Sequence, residues 1–249
     1  MIPTRLLEQW KKDEAAPFKG WDFLYIKDRR IEEQPPWNYK ALSKEFVKRS
    51  KAVLDMGTGG GEIFSTLAPF PARAVAIEGY KPNVKVAKER LEPLGAQVLE
   101  VDESYELPFA DKEFDLILNR HSAFKASEVF RILRAGGRFL TQQVGGNDFF
   151  DLLEFFETKS KWPNHELEMV KRSLEDAGFK MERAEEWTGK TKFLDVGAVV
   201  YYLRAIPWDV DGFSVDSHLK YLERLQEKLE RDGELKFTAT RFLILARRE

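Results

Sequence analysis

The sequence predicts an α/β fold, a doubly wound and mostly parallel sheet with helices on both faces. Three observations predict it. Short apolar runs that read as strands recur through the middle of the chain, with helix-like spacing between them. The first of these runs ends in a turn made almost wholly of glycine. Two more strand-like runs arrive late, after the alternating part is complete. The 249 residues, 43% of them hydrophobic, suffice for one such domain with additions.

Taken in order, Leu6, Leu7 and Trp10 mark a short amphipathic helix, followed by Phe18, Trp21, Phe23, Tyr25, Trp37 and Tyr39 among Pro17, Pro35 and Pro36. This stretch lacks regular periodicity. It reads either as aromatic packing over a sheet edge or as a lid that closes on a ligand and excludes water. Residues 1–50 are thus expected to form an N-terminal cap and 51–249 the main domain. Ala41–Phe46 reads as a helix leading into the first strand, Ala52–Leu54. Four glycines within Gly57–Gly61 then remove side chains where the backbone must turn sharply and approach a ligand closely. Ile63, Phe64, Leu67 and Ala68 follow at helical spacing.

Ala74–Glu78 and Val98–Asp102 read as the second and third strands, each ending in an acid, and Phe114–Leu118 as the fourth. Val129–Leu140 reads as a helix, a Gly136–Gly137 stop and a fifth strand. Phe149–Phe156 and His165–Ala177 read as helices, with Gly178 as a stop. Phe179–Trp187 reads as the sixth strand. Asp195 is a capping residue for a helix over Val196–Leu203, although Val199, Val200, Tyr201 and Tyr202 suit a strand equally. Ser214–Glu230 is an amphipathic, charged helix, so that 195–231 forms a late helical insertion. Phe237–Ala246 is the final strand.

Composition narrows function. The net charge of −2 gives no global attraction to nucleic acid or anionic membrane. Lys44, Lys48, Arg49 and Lys51 make only a modest basic cluster. No apolar run approaches the roughly 18 residues of a membrane span. With no cysteine and no signal-like apolar stretch at Met1–Arg5, a cytoplasmic location is expected. Three dispersed histidines and no cysteine predict no metal site.

The turn itself separates two cofactor classes. In the dinucleotide fingerprint G-x-G-x-x-G, Gly57 and Gly59 fit, but the third glycine position falls on Glu62. That mismatch opposes a nicotinamide-dependent oxidoreductase. Gly57, Gly59 and Gly61 instead form G-x-G-x-G, with Asp55 before and Glu62 after. This pattern resembles the first motif of class I S-adenosylmethionine-dependent methyltransferases. Together with Glu78, the Leu107–Leu118 stretch LPFADKEFDLIL and the Val129–Leu140 stretch VFRILRAGGRFL, residues 50–145 resemble the small-molecule type of that family.

The resemblance implies a seven-stranded sheet, S-adenosylmethionine as cofactor and methyl transfer to an oxygen or nitrogen of a small molecule. Gly57, Gly59 and Gly61 would face the methionine part and Glu78 the ribose. Asp102 would sit near the adenine amino group, or Glu103, because the spacing to Leu107-Pro108-Phe109 differs from the usual by one residue. Asp55, Thr58, Glu62, Gly79, Asn119 and Arg120 complete the expected cofactor set. Ligands of open α/β sheets lie beyond the carboxyl ends of the strands, which adds Gln142 to the same rim. Trp21, Trp37, Tyr39, Gln142 and Tyr201 are the candidate acceptor contacts. Asn119-Arg120-His121-Ser122 lacks the Pro-Pro of base-modifying amino methyltransferases, and an rRNA or tRNA methyltransferase is the second reading. His121, the nearby group that titrates near neutrality, is the candidate base.

Overall fold

The computed structural model describes residues 3–101 and 106–249. The strands are β1 (Arg30–Glu32), β2 (Ala52–Met56), β3 (Arg73–Glu78), β4 (Gln97–Glu100), β5 (Phe114–Arg120), β6 (Leu133–Val144), β7 (Phe179–Phe193) and β8 (Leu235–Arg248). Among the described residues they form one sheet, in the order β1-β7-β8-β6-β5-β2-β3-β4. The five strands β4, β3, β2, β5 and β6 run parallel. β8, β7 and β1 add antiparallel pairs at one side. The order reverses between β2 and β5, which opens a crevice at the ends of those strands.

The helices are α1 (Thr4–Ala15), α2 (Tyr39–Val47), α3 (Glu62–Ser65), α4 (Lys81–Leu91), α5 (Ala126–Ile132), α6 (Phe150–Phe155), α7 (Leu167–Asp176), α8 (Val196–Ala205) and α9 (Leu219–Asp232). Strand alternation sorts the core into two faces. Val53, Ala76, Leu116, Leu118 and Leu140 pack with α2, α3 and α4. Leu54, Val75, Ile117 and Phe139 pack with α5 and α7 on the other face. A third cluster joins α6, α8 and α9 to the far ends of β7 and β8, and Trp10 of α1 lies within it.

Four expectations change. The sheet has an eighth strand, because β7 runs on to Phe193 and offers its edge to Arg30–Glu32. The Gly136–Gly137 pair does not stop a helix. α5 ends at Ile132, and the glycines lie inside β6, with Gly136 at φ 77°. The helix expected from His165 starts at Leu167, and the one expected from Ser214 runs from Leu219 to Asp232, where Gly233 ends it in the left-handed region. The helix expected over Val196–Leu203 does form, running from Val196 to Ala205. The Asp195 carboxylate accepts from the Ala198 N–H at 2.8 Å, and the helix is apolar nearly all round because it is enclosed. No helix among the described residues is long and apolar enough to cross a membrane.

Candidate functional site

β2 delivers Asp55 and then the turn. Gly57, Gly59 and Gly61 all have positive φ, at 64°, 62° and 78°, a conformation that costs a residue with a Cβ about 1–2 kcal/mol. Close packing adds a second reason. A Cβ on Gly57 would lie 2.2 Å from the Ser122 hydroxyl, and one on Gly61 would lie 2.8 Å from Leu91 Cγ. The Thr58 N–H donates to the Ile77 carbonyl at 3.0 Å, and the Gly61 N–H to the Thr58 carbonyl at 3.0 Å. The Gly59 N–H donates to Glu78 Oε2 at 2.7 Å. The Tyr80 N–H donates to Glu78 Oε1 at 2.8 Å. The acid at the end of β3 therefore holds the turn by its main chain. Glu78 is 9% exposed, and burial raises its pKa against the opposing pull of these N–H donors.

Asp55 sits on the α2 face at the same rim. Burial pushes its carboxyl up to about 7, the Thr58 hydroxyl and Arg120 oppose, and the Glu78 charge adds to the rise. An aspartate raised this way favours the folded state while protonated. That contribution is complete below its ordinary value of 3.8 and disappears as pH climbs through about 7. Compared with Asp55→Asn, the wild type is expected to lose stability between those limits, by at most about 1.4 kcal/mol per pH unit. Urea denaturation of both proteins from pH 4 to 8 checks this. A stability gap that stays constant with pH would mean an ordinary carboxylate.

Asn119, Arg120 and His121 follow at the end of β5. Asn119 is fully buried on the α5–α7 face. Its Oδ1 accepts from the Thr141 hydroxyl at 3.0 Å and from Gln143, and its Nδ2 has no partner among the described residues. Arg120 and Gln142, paired in register, emerge on the α2 face beside Tyr39. The Tyr39 hydroxyl donates to the Asn119 carbonyl at 3.2 Å. His121 adopts φ 59°, so the chain bends back and sets Ser122 over Gly57.

His121 is not the free base that its position predicts. Trp37 Nε1–H donates to Gln142 Oε1 at 2.8 Å, which fixes the amide orientation because an indole nitrogen only donates. Gln142 Nε2 then faces His121 Nε2 at 3.1 Å and donates to it. The imidazole lone pair is thus engaged and its proton lies on Nδ1. Burial, and then Arg120, Arg241 and Arg30, hold its pKa well below the usual value, so it stays neutral.

The other candidates divide. Trp37, Tyr39 and Gln142 are buried together at the rim. Tyr201 is not a rim residue. Its hydroxyl donates to the Pro17 carbonyl at 3.2 Å, and its ring packs on Phe18 and Tyr25 in the third cluster. The Trp21 ring stacks on Trp208 at 6.0 Å, while its Cβ lies beside Gly59. Glu62 pairs with Arg90 of α4. Gly79 lies against the Val101 carbonyl. Asp102 and Glu103 fall outside the described residues.

Three contributors were not singled out from sequence. Ser122 closes on Gly57. Gly20, at φ 65°, brings the N-terminal segment down on Gly60 and Glu62. Arg241 of β8 pairs with Asp148 at 2.6 Å and Glu32 at 2.8 Å beside the rim. Of these, only Arg241 leaves a sequence signal, as a charge inside the apolar run Phe237–Ala246.

Comparison with known proteins agrees with this architecture. Residues 54–141 match the family model of the methyltransferase domain. The uncharacterized methyltransferase YcgJ of Bacillus subtilis (strain 168) is 31% identical over 97 residues, 35% of this chain and 38% of YcgJ. Ubiquinone biosynthesis O-methyltransferase of Pelagibacter ubique is 25% identical over 138 residues, 55% of this chain and 57% of that protein. Demethylmenaquinone methyltransferase of Thermus thermophilus is 32% identical over 116 residues, 42% of this chain and 52% of that protein. The chain thus spans 38% to 57% of the lengths of these curated relatives. The crystal structure of YcgJ superposes with a TM-score of 0.58 at 18% identity, covering 85% of this chain and 98% of YcgJ. The [4+2]-cyclase SpnF superposes at 0.54 and 16% identity, covering 98% and 92%. These superpositions establish the fold alone. The family match runs from the glycine turn through β3, β4 and β5 into β6, so residues 54–141 of this chain are similar to the methyltransferase domain.

Proposed function

We propose that the chain transfers the methyl group of S-adenosylmethionine to an oxygen or nitrogen of a small-molecule acceptor. The observation that carries this reading is the turn after β2, where three positive-φ glycines lie beside the carboxylate that ends β3 and accepts from the Gly59 N–H. The donor set suits the cofactor. Glu78 retains acceptor capacity for ribose hydroxyls after its two N–H bonds. Asp55 offers a carboxylate to an ammonium group, with the Thr58 hydroxyl beside it. Gly20 and Trp21 lie directly on the turn, so this reading requires the N-terminal segment to shift when cofactor enters.

The bound cofactor would supply an electrophilic methyl group. The protein's part is then chiefly alignment and exclusion of water, which can account for about 7–11 kcal/mol of barrier. Trp37, Tyr39 and Gln142 form the wall on which an acceptor would be positioned. His121, neutral and already hydrogen-bonded, is assigned to positioning through Gln142 rather than to proton removal. The relatives named for ubiquinone and demethylmenaquinone support a small-molecule acceptor.

Glu78→Ala is expected to weaken binding of S-adenosylhomocysteine by about 1–3 kcal/mol, the range for losing hydrogen bonds to a charged group. Calorimetric titration measures it, with circular dichroism as the check on folding. Unchanged affinity would remove Glu78 from the cofactor site, and no binding to the wild type would end the methyltransferase reading.

A further inference from the structure

Three arginines converge beside the rim, Arg30 from β1, Arg120 from β5 and Arg241 from β8, and all three act on His121. Two are satisfied. Arg241 has Asp148 and Glu32. Arg30 has Glu32 at 2.9 Å and lies over the rings of Phe23 and Tyr202, 5.3 Å from each centroid. Arg120 makes no side-chain hydrogen bond and no ion pair among the described residues, although it is drawn in far enough for burial to lower its pKa. Arg120 is half-buried, and its guanidinium has no fixed anion to offset the hydration it gives up. That leaves its donors open to an incoming anion.

We propose that Arg120 is the receptor for a carboxylate carried by the methyl acceptor. The proposal rests on the methyltransferase reading and names its substrate class. Guanidinium presents a planar fork of donors that matches a carboxylate in two parallel hydrogen bonds. Position separates this site from the cofactor's. Arg120 pairs with Gln142 of β6 and lies one residue past Asn119, the register partner of the last residue of β2. The groups whose charge reaches it are Tyr39 on α2, Arg241 on β8, Glu32 on β1 and Asp55 on β2, and Glu78 is not among them. Gln142 has both ends of its amide committed, to Trp37 and His121, and cannot take over this role. Trp37 and Tyr39 supply the flanking wall for the acceptor's body.

The test uses the full chain saturated with S-adenosylhomocysteine, with benzoate and octanoate as carboxylate probes and benzamide as the uncharged control. Ligand-observed NMR reads the dissociation constants. At least one carboxylate is expected to bind the wild type more tightly than benzamide. Arg120→Gln should weaken that binding by about tenfold or more, with Arg120→Lys in between because it keeps charge but loses the fork. Affinity for S-adenosylhomocysteine should stay within about twofold in Arg120→Gln, since the proposal assigns this arginine no part in holding the cofactor.

Three results would overturn the proposal. One is that neither carboxylate binds better than benzamide. Another is that their binding survives Arg120→Gln. The third is that Arg120→Gln weakens S-adenosylhomocysteine but not 5′-methylthioadenosine, which lacks the amino-acid end, because Arg120 would then hold the cofactor's own carboxylate. If the wild type binds no S-adenosylhomocysteine, the methyltransferase reading fails by itself. The same probe comparison on the protein alone then decides the role of Arg120.

Discussion

Gly61→Ala is expected to destabilise the protein by about 2–5 kcal/mol, combining the penalty for a Cβ at positive φ with that of overpacking. The two terms have separate origins. The φ of 78° ends the turn and starts α3, and only glycine adopts it without cost. The new methyl would also lie within 3.1 Å of three carbons of Leu91, which is fully buried at the end of α4. Neither neighbour can retreat easily, because Leu91 is enclosed by the α2–α4 face of the sheet. Thermal and urea denaturation of Gly61→Ala measure the effect, and the double variant Gly61→Ala/Leu91→Ala partitions it. Relief of part of the loss in the double variant identifies the steric term, and the remainder is conformational. A single variant as stable as the wild type would mean that the turn is not held in this shape.

The sequence exposed this turn because its requirement is local. Where a backbone must be left-handed three times within five residues, glycine is the economical choice and the pattern is visible without any fold. The parallel strands were legible for a related reason. Strands buried on both faces read as continuous apolar runs, so β2 and β3 announce themselves. β1 did not. Arg30-Ile31-Glu32 carries no apolar pattern, and it is a strand only because the edge of β7 extends far enough to pair with it. The ambiguity over Val199–Tyr202 was resolved by one capping carboxylate, Asp195, which outweighed β-branched preference in a fully enclosed segment.

The rim residues show the same division. Asp55, Glu78, Asn119, Arg120 and Gln142 were predictable as neighbours, since all occupy the carboxyl ends of adjacent parallel strands. Their electrostatic state was not. His121 stays neutral first because it is buried, then because arginines from β1, β5 and β8 converge on it, and Trp37 fixes the Gln142 amide beside it. These contacts span 105 residues between Trp37 and Gln142 and 209 between Glu32 and Arg241. No periodicity carries information of that range. Tyr201 was misplaced for a comparable reason, because its helix faces the N-terminal segment rather than the strand ends.

Asp13→Ala is expected to cost about 3–5 kcal/mol, the range for removing one partner of a buried ion pair. Asp13 is completely buried, yet its carboxylate is fully engaged. It accepts from Arg29 Nη2 at 3.0 Å, Tyr25 Oη at 2.9 Å and Gln9 Nε2 at 3.2 Å. It also lies against the first turn of α8, where Gly197 leaves room and a Cβ would stand 2.0 Å from Asp13 Oδ2. A helix N-terminus favours an anion there. Arg29 in turn reaches Asp195, the cap of α8, at 3.2 Å. Asp13 therefore ties α1, the aromatic segment and α8 into one unit, and that unit holds Gly20 and Trp21 over the glycine turn. Its loss should act in two measurable places. Global stability falls in urea denaturation, and limited proteolysis should cut earlier between α1 and β1 under native conditions. Asp13→Asn, which keeps the shape and part of the acceptor set, should fall between Ala and wild type. If the Ala variant unfolds like the wild type and is cut no faster, the segment is held over the turn by aromatic packing, with the Trp21–Trp208 stack as its anchor.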